Sequence, residues 1–348
     1  MAIPRRGKHA TLREVAAAAD TSVATASRAL AGHAYVGEEI RLRVEQAARE
    51  LGYRPHEGAR SLRTSRSMTL GVLCYQLRQL PIVDFIDGYG ARAGQEGYAV
   101  LVANARGDAN EYHLLARRLL ERRIDGLIVT SPGDLGGSLK PYQDAGVPVA
   151  VTLWRAPSES EIPLITTSEL QATRDAFASL SDLGHRSVAF FGTPRTAFMQ
   201  RPSALMQASM DTGVRCHMSF IEEATTPEDM AGQLQQVLRP PVAATAVCFN
   251  HSHSGSILRA IRLLRLEVPA QLSLFVFTDY SDTDSALQPV LAAVHTDVVR
   301  MGMLSAAIMM QWIASEEPPP SITDLDLTTW AMGGSIGPVP ESSALTPV

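Results

Sequence analysis

The sequence predicts an α/β protein: a small N-terminal three-helix helix-turn-helix head, then a two-lobed core built on doubly wound parallel sheets. Three observations carry this. The first 56 residues hold three short apolar-periodic segments, with a helix-start signature at Thr11. From residue 68 onward, strand-like runs alternate with helix-like runs, which is the rhythm of βαβ units. That rhythm restarts near Ala172, so the chain carries two sheets rather than one.

In the head, Thr11 is followed three residues on by Glu14, the spacing of a capping box. Leu12, Val15, Ala16 and Ala19 share one face of the first helix. Asp20-Thr21 breaks it, and Asp tolerates a left-handed turn. Ser22 caps a second helix in which Ala26, Ala29 and Leu30 point inward. A third helix is expected from Glu38 to Leu51, burying Ile40, Val44, Ala47 and Leu51. A three-helix bundle need not bind anything. The second helix favours DNA because Ser22, Val23, Ala24, Thr25, Ser27 and Arg28 lie on its outer face with no carboxylate among them. Short side chains admit base edges, hydroxyls reach phosphates, and arginine reaches guanine or phosphate.

The bulk numbers agree. A length of 348 residues implies more than one domain, and 45% apolar with 19% charged residues suits a soluble globular chain. No run of about 18 uncharged apolar residues is present, so no membrane span is expected. The basic N-terminus lacks the apolar stretch of a secretory signal. Cys74, Cys216 and Cys248 make neither a metal spacing nor a disulfide framework, which points to the reducing cytoplasm. The net charge of −5 is unevenly spread. Residues 1–67 carry 12 Lys and Arg against 7 Asp and Glu, and the remainder 19 against 29. A basic head on an acidic body suits a polyanionic partner.

In the body, MTLGVLCY, YAVLVAN, IDGLIVTS and VPVAVTLW read as strands of the first lobe. SVAFFG, ATAVCFN and SLFVF read as strands of the second. Ligands of open α/β sheets sit beyond the carboxyl ends of the strands, here the cleft between lobes. A dinucleotide-dependent enzyme would build on the same sheets, but no G-x-G-x-x-G follows a strand, and neither a P-loop nor a nucleophile elbow is present. His251-x-His253 lacks a third ligand at metal spacing. No enzyme activity, cofactor or metal is therefore expected.

The head, TLREVAAAADTSVATASRALAGHAYVGEEIRLRVEQAARELGYRP, resembles the DNA-binding head of the lactose-repressor (LacI/GalR) family, most specifically in SVATASR. The resemblance implies that Val23 and Ala24 begin the base-reading helix, with Arg28 one turn on. It also implies that Thr11, Ser22 and Tyr35 contact the DNA backbone. The chain departs from the family at Asp20, Ala31 and Gly37, where Gly, Asn and Ser are usual. In residues 57–67 the resemblance implies a hinge helix that forms on DNA. Leu62 takes the place of the leucine wedged into the minor groove, and Ala59 that of the small residue beside it. Gly58 replaces a branched aliphatic there and weakens the helix by about 1 kcal/mol.

Beyond the hinge, RRIDGLIVTSP, LGHRSVAFFG and LRLEVPAQLSLFVF are similar to family landmarks. They imply a periplasmic-binding-protein-like clamp with three crossovers between lobes. The expected divisions are a head at 1–56, a hinge at 57–67, a core at 68–340 and a tail at 341–348. Within the core, lobe 1 takes 68–165 and 295–323, and lobe 2 takes 166–294 and 324–340. A homodimer formed through the core would read a near-palindromic DNA operator. The helix starting near Pro81 and the helix Arg300–Trp312 are candidates for that contact.

For a small-molecule effector, the resemblance maps the family's arginine to Arg201 and its strand-end asparagine to Asn250. Arg195 and Trp154 fall where the purine-type members carry an arginine and an aromatic. Tyr75, Ser168, Thr278 and Asp279 complete the candidate set. Ser168, Ala204, His251 and Thr278 stand where the family usually has Asp, Gly, Asp and Asp. A site that keeps two arginines and loses carboxylates favours an anionic effector, such as a sugar acid or sugar phosphate. The tail WAMGGSIG loosely resembles gluconate-type repressors. Two alternatives stay open: both arginines serve surface salt bridges, or the site has decayed and regulation needs no effector. A solute-binding protein with a vestigial head is the competing class.

Overall fold

The computed structural model describes residues 10–30, 35–53, 66–77, 80–130, 137–153, 162–193, 201–222, 225–278 and 290–339. The chain divides into two compact units, Met1–Met68 and Thr69–Val348.

The first unit contains α1 (Leu12–Ala18), α2 (Val23–Leu30) and α3 (Glu38–Glu50). The Thr11 hydroxyl accepts from Glu14 N (3.3 Å), and Thr11 N donates back to the Glu14 carboxylate (2.6 Å), closing the capping box. Asp20 turns the chain between α1 and α2 with φ +47°, the left-handed conformation that a short polar side chain tolerates. Val15, Ala16, Ala19, Ala26, Ala29, Val44, Ala47 and Ala48 form the core, with Leu12, Leu30 and Ile40 partly buried against it. The expected burial of Leu51 is corrected. It is the residue after α3, is exposed, and leaves Ala48 to pack in the core.

The second unit holds two six-stranded sheets. The first contains β1 (Thr69–Cys74), β2 (Ala99–Asn104), β3 (Gly126–Thr130), β4 (Val149–Thr152), β5 (Leu164–Thr167) and β11 (Ile322–Leu325), in the order β11-β5-β4-β3-β1-β2. Its helices are α4 (Leu80–Gln95), α5 (Ala109–Glu121), α6 (Lys140–Asp144) and α11 (Val298–Ser315). The second sheet contains β6 (Ser187–Gly192), β7 (Arg215–Phe220), β8 (Ala246–Asn250), β9 (Ser273–Thr278), β10 (Ala292–Thr296) and β12 (Thr328–Ala331), in the order β12-β10-β9-β8-β6-β7. Its helices are α7 (Leu170–Asp182), α8 (Arg201–Thr212), α9 (Pro227–Leu238) and α10 (Ser254–Leu263). Strands β3, β4, β6, β8 and β9 are buried along their whole length, as parallel strands covered on both faces must be. Among the described residues, only β12 runs antiparallel, against β10.

Three crossovers join the lobes: β5 to α7, β10 to α11, and β11 to β12. The lobe divisions expected at about 165/166, 294/295 and 323/324 each lie two residues before the end of a strand, β5, β10 and β11 respectively. Five elements were not foreseen: β5, β7, β10, β11 and α9. Strand β7 lies at a sheet edge and is only partly buried, so it lacks an apolar run. Helix α9 announces itself by Thr226, whose hydroxyl accepts from Asp229 N, and by Pro227 in the first turn.

Helix α11 is long and apolar enough, by length and composition, to cross a membrane. Its packing makes it a core helix of the first lobe. A Cβ at Gly302 would lie 2.1 Å from Phe85 O, and one at Gly88 1.9 Å from Val299 O. The backbones of α4 and α11 therefore touch, which only glycine permits at these two positions. Gly302→Ala is expected to destabilise the core by about 3 kcal/mol, because the obstructing atoms are backbone. Chemical denaturation measures it, and a loss below about 1 kcal/mol would mean the two helices can separate without strain.

Candidate nucleic-acid face and effector site

On the head, the Ser22 hydroxyl caps α2 by accepting from Thr25 N (3.0 Å) and pairs with the Thr25 hydroxyl (2.8 Å). That cap fixes where α2 begins and so which side chains its first turn presents. Ser22, Val23, Ala24 and Arg28 are exposed, and Thr25 is half-buried. Ala24 and Arg28, four residues apart, lie on one face. Ala26 and Ala29 hold the opposite face in the core. Thr11 is exposed at the start of α1, and Tyr35 is almost wholly exposed. A large aromatic with so little packing in its own unit is free to meet another surface. Ala59 and Leu62 lie outside the described residues.

In the body, Arg201 opens α8 and is buried. Its guanidinium donates to Glu169 through Nε (2.9 Å) and Nη2 (2.5 Å), a two-pronged contact. Its Nη1 donates to Asn250 Oδ1 (2.7 Å), and its Cζ stands 4.4 Å from the centre of the Phe277 ring. These partners come from strand ends. Glu169 follows β5, Asn250 ends β8, and Phe277 lies beside Asn250 in the β8–β9 register. The site therefore stands at the carboxyl ends of the strands, where open α/β sheets place ligands.

Arg201, one of the two arginines behind the expectation of an anionic effector, already has a carboxylate partner. Ser168 has no carboxylate, and its hydroxyl instead accepts from Leu170 N (3.3 Å). The next residue, Glu169, supplies the missing charge and neutralises Arg201 at contact distance. Sequence reasoning missed Glu169, although it is the first acid after β5. Thr278 is buried at the end of β9, next to Phe277. Tyr75 belongs to the first lobe, and its hydroxyl donates to Gly107 O. Trp154, Arg195 and Asp279 lie outside the described residues.

Of the cysteines and the histidine pair, Cys74, Cys248 and His253 are buried, and Cys216 and His251 are half-buried. Burial raises the Cys74 thiol to about 11 and the Cys216 thiol to about 12, so neither is a thiolate nucleophile at neutral pH. His251–His253 form a short 3₁₀ turn after β8. His253 is buried and has no hydrogen-bond partner among the described residues, and burial lowers its pKa. Among the described residues, no three His, Cys, Asp or Glu side chains come together to hold a metal.

Comparisons with known proteins bear on both units. Residues 11–56 match the family model "Bacterial regulatory proteins, lacI family", and residues 177–336 match "Periplasmic binding protein-like domain". The chain is 30% identical over 324 residues to the HTH-type transcriptional regulator GntR of Pseudomonas aeruginosa, covering 90% of this chain and 92% of that protein. It is 26% identical over 314 residues to the HTH-type transcriptional repressor PurR of Vibrio atlanticus, covering 88% and 93%. Among solved structures, the lac repressor dimer bound to operator and an anti-inducer superposes with a TM-score of 0.80. At 23% identity, over 94% of this chain and 99% of that one, this last likeness shows the fold. These relatives are named as regulators and not as enzymes.

The buried pair yields a prediction. Glu169→Ala leaves the Arg201 cation buried beside Asn250 and Phe277, and should cost about 3 kcal/mol in urea unfolding. The double variant Glu169→Ala, Arg201→Met should recover much of that loss. A single-variant cost under about 1 kcal/mol would show that water reaches the arginine.

Proposed function

The chain belongs to the lacI family of bacterial regulatory proteins, and from that premise we propose that it is a cytoplasmic, homodimeric repressor of a near-palindromic operator. It is a DNA-binding transcriptional regulator, and α2 is its base-reading helix. The observation that carries this reading is the face of α2, where Ala24 and Arg28 are exposed on a helix that contains no carboxylate. Thr11, Ser22, Thr25 and Tyr35 hold the DNA backbone, and Ala59 and Leu62 serve the hinge.

The effector is a small metabolite of the sugar, sugar-acid or sugar-phosphate class, bound where Arg201, Asn250 and Thr278 meet. Glu169 joins that set as a hydroxyl acceptor. Tyr75, Trp154, Ser168, Arg195 and Asp279 are the further contacts. The dimer forms through the outer faces of α4 and α11, where Val83, Val299 and Met303 are exposed apolar residues, and through the edge of β2, where Leu101 and Val102 are exposed. Closed two-fold pairing of such a face would cover it.

One observation favours a second reading. Arg201 already has Glu169 and Asn250 as partners, which is the state of a site that regulates without an effector. A thermal-shift screen of sugars and sugar acids separates the two, because only the first reading predicts a stabilising ligand.

Arg28→Ala is expected to weaken binding to a palindromic operator in a gel-shift titration by roughly 5- to 150-fold, the worth of one good base contact. Unchanged affinity would remove Arg28 from the reading face.

A further inference from the structure

Each of the three crossovers places one threonine at the same point. Thr167 ends β5, Thr296 ends β10, and Thr328 begins β12. All three are buried. The Thr167 hydroxyl is 2.5 Å from Leu325 O and 3.1 Å from the Thr328 hydroxyl. The Thr328 hydroxyl is also 3.1 Å from that of Thr296.

Elementary hydrogen-bond accounting sets the direction of this network. A carbonyl oxygen only accepts, so Thr167 spends its single proton on Leu325 O. Thr328 must then donate to Thr167, and Thr296 must donate to Thr328. The result is one polarised chain, Thr296 to Thr328 to Thr167 to Leu325 O, in which each bond strengthens the next. A backbone bond from Asp297 N to Leu327 O (2.9 Å) runs beside it between the second and third crossovers.

We propose that this hydroxyl chain is a hinge lock that makes the three crossovers turn as one unit. Rotation of one lobe against the other bends all three crossovers. With water excluded, any bend that separates two threonines leaves a buried hydroxyl unpaired. The lock therefore favours discrete lobe arrangements over a continuous range. Glu169 lies two residues beyond Thr167 on the same crossover, so the carboxylate that holds Arg201 is attached to the acceptor end of the chain. What would trigger the lock rests on the effector reading above, whereas the lock itself does not.

The test uses the full-length protein without ligand or DNA. Amide hydrogen exchange is followed by mass spectrometry in residues 164–170, 292–299 and 322–331. Thr328→Val removes the central hydroxyl at nearly constant volume and should speed exchange about fivefold or more in all three segments. Thr328→Ser keeps the hydroxyl and should restore slow exchange. Acceleration confined to 322–331, or none, would overturn the proposal. If Thr328→Val does not fold, Thr296→Val removes only the first link. It should then speed exchange in 292–299 and 322–331 while sparing 164–170, and natural exchange in all three segments would equally overturn the lock.

Discussion

A buried guanidinium needs a carboxylate, further acceptors and a covered face, and Arg201 obtains all three from strand ends of the second unit. Glu169 supplies the charge, Asn250 accepts at the third nitrogen, and Phe277 covers one side. Meeting that demand pins the start of α7, the start of α8 and the end of β8 to one another. It also places the site on the crossover that carries Thr167. The site is thus built from the residues with most leverage on how the lobes are joined.

The first lobe answers a different constraint. Gly88 and Gly302 let α4 and α11 meet backbone to backbone, which leaves no room for the two helices to slide. The outer faces of the same helices keep Val83, Val299 and Met303 exposed. A rigid pair with an apolar outer face is a suitable platform for a two-fold contact. Motion is then left to the crossovers, where the threonine chain resists it.

Legibility in the sequence followed the range of the interactions. The head was readable because its signals are local. The Thr11–Glu14 box, the Asp20 turn and the Ser22 cap each join positions no more than three apart, and each stands where its spacing predicted. The central parallel strands β3, β4, β6, β8 and β9 were readable because full burial forces apolar runs, whereas the four- and five-residue strands β5, β10 and β11 carry apolar runs too short to stand out. Edge strand β7 was not readable, because partial burial leaves a mixed pattern. Glu169 was not, because its partner Arg201 lies 32 residues away in sequence, and the other acceptor of Arg201, Asn250, lies a further 49. The Phe277 register with Asn250 adds one more segment that no local pattern announces. The threonine chain joins residues 161 apart, and a lone threonine at a strand end gives no sign of it. One neighbouring position, Ser168 against Glu169, was enough to give Arg201 a carboxylate partner that the sequence reading had not placed.

Reading of a symmetric DNA site by two heads of this chain is tested most directly by selecting duplexes from a random pool with the full-length protein and sequencing those retained. Enrichment of a near-palindromic sequence with two equivalent half-sites is the predicted result. Retention without enrichment, or enrichment of a site with no two-fold symmetry, would contradict it.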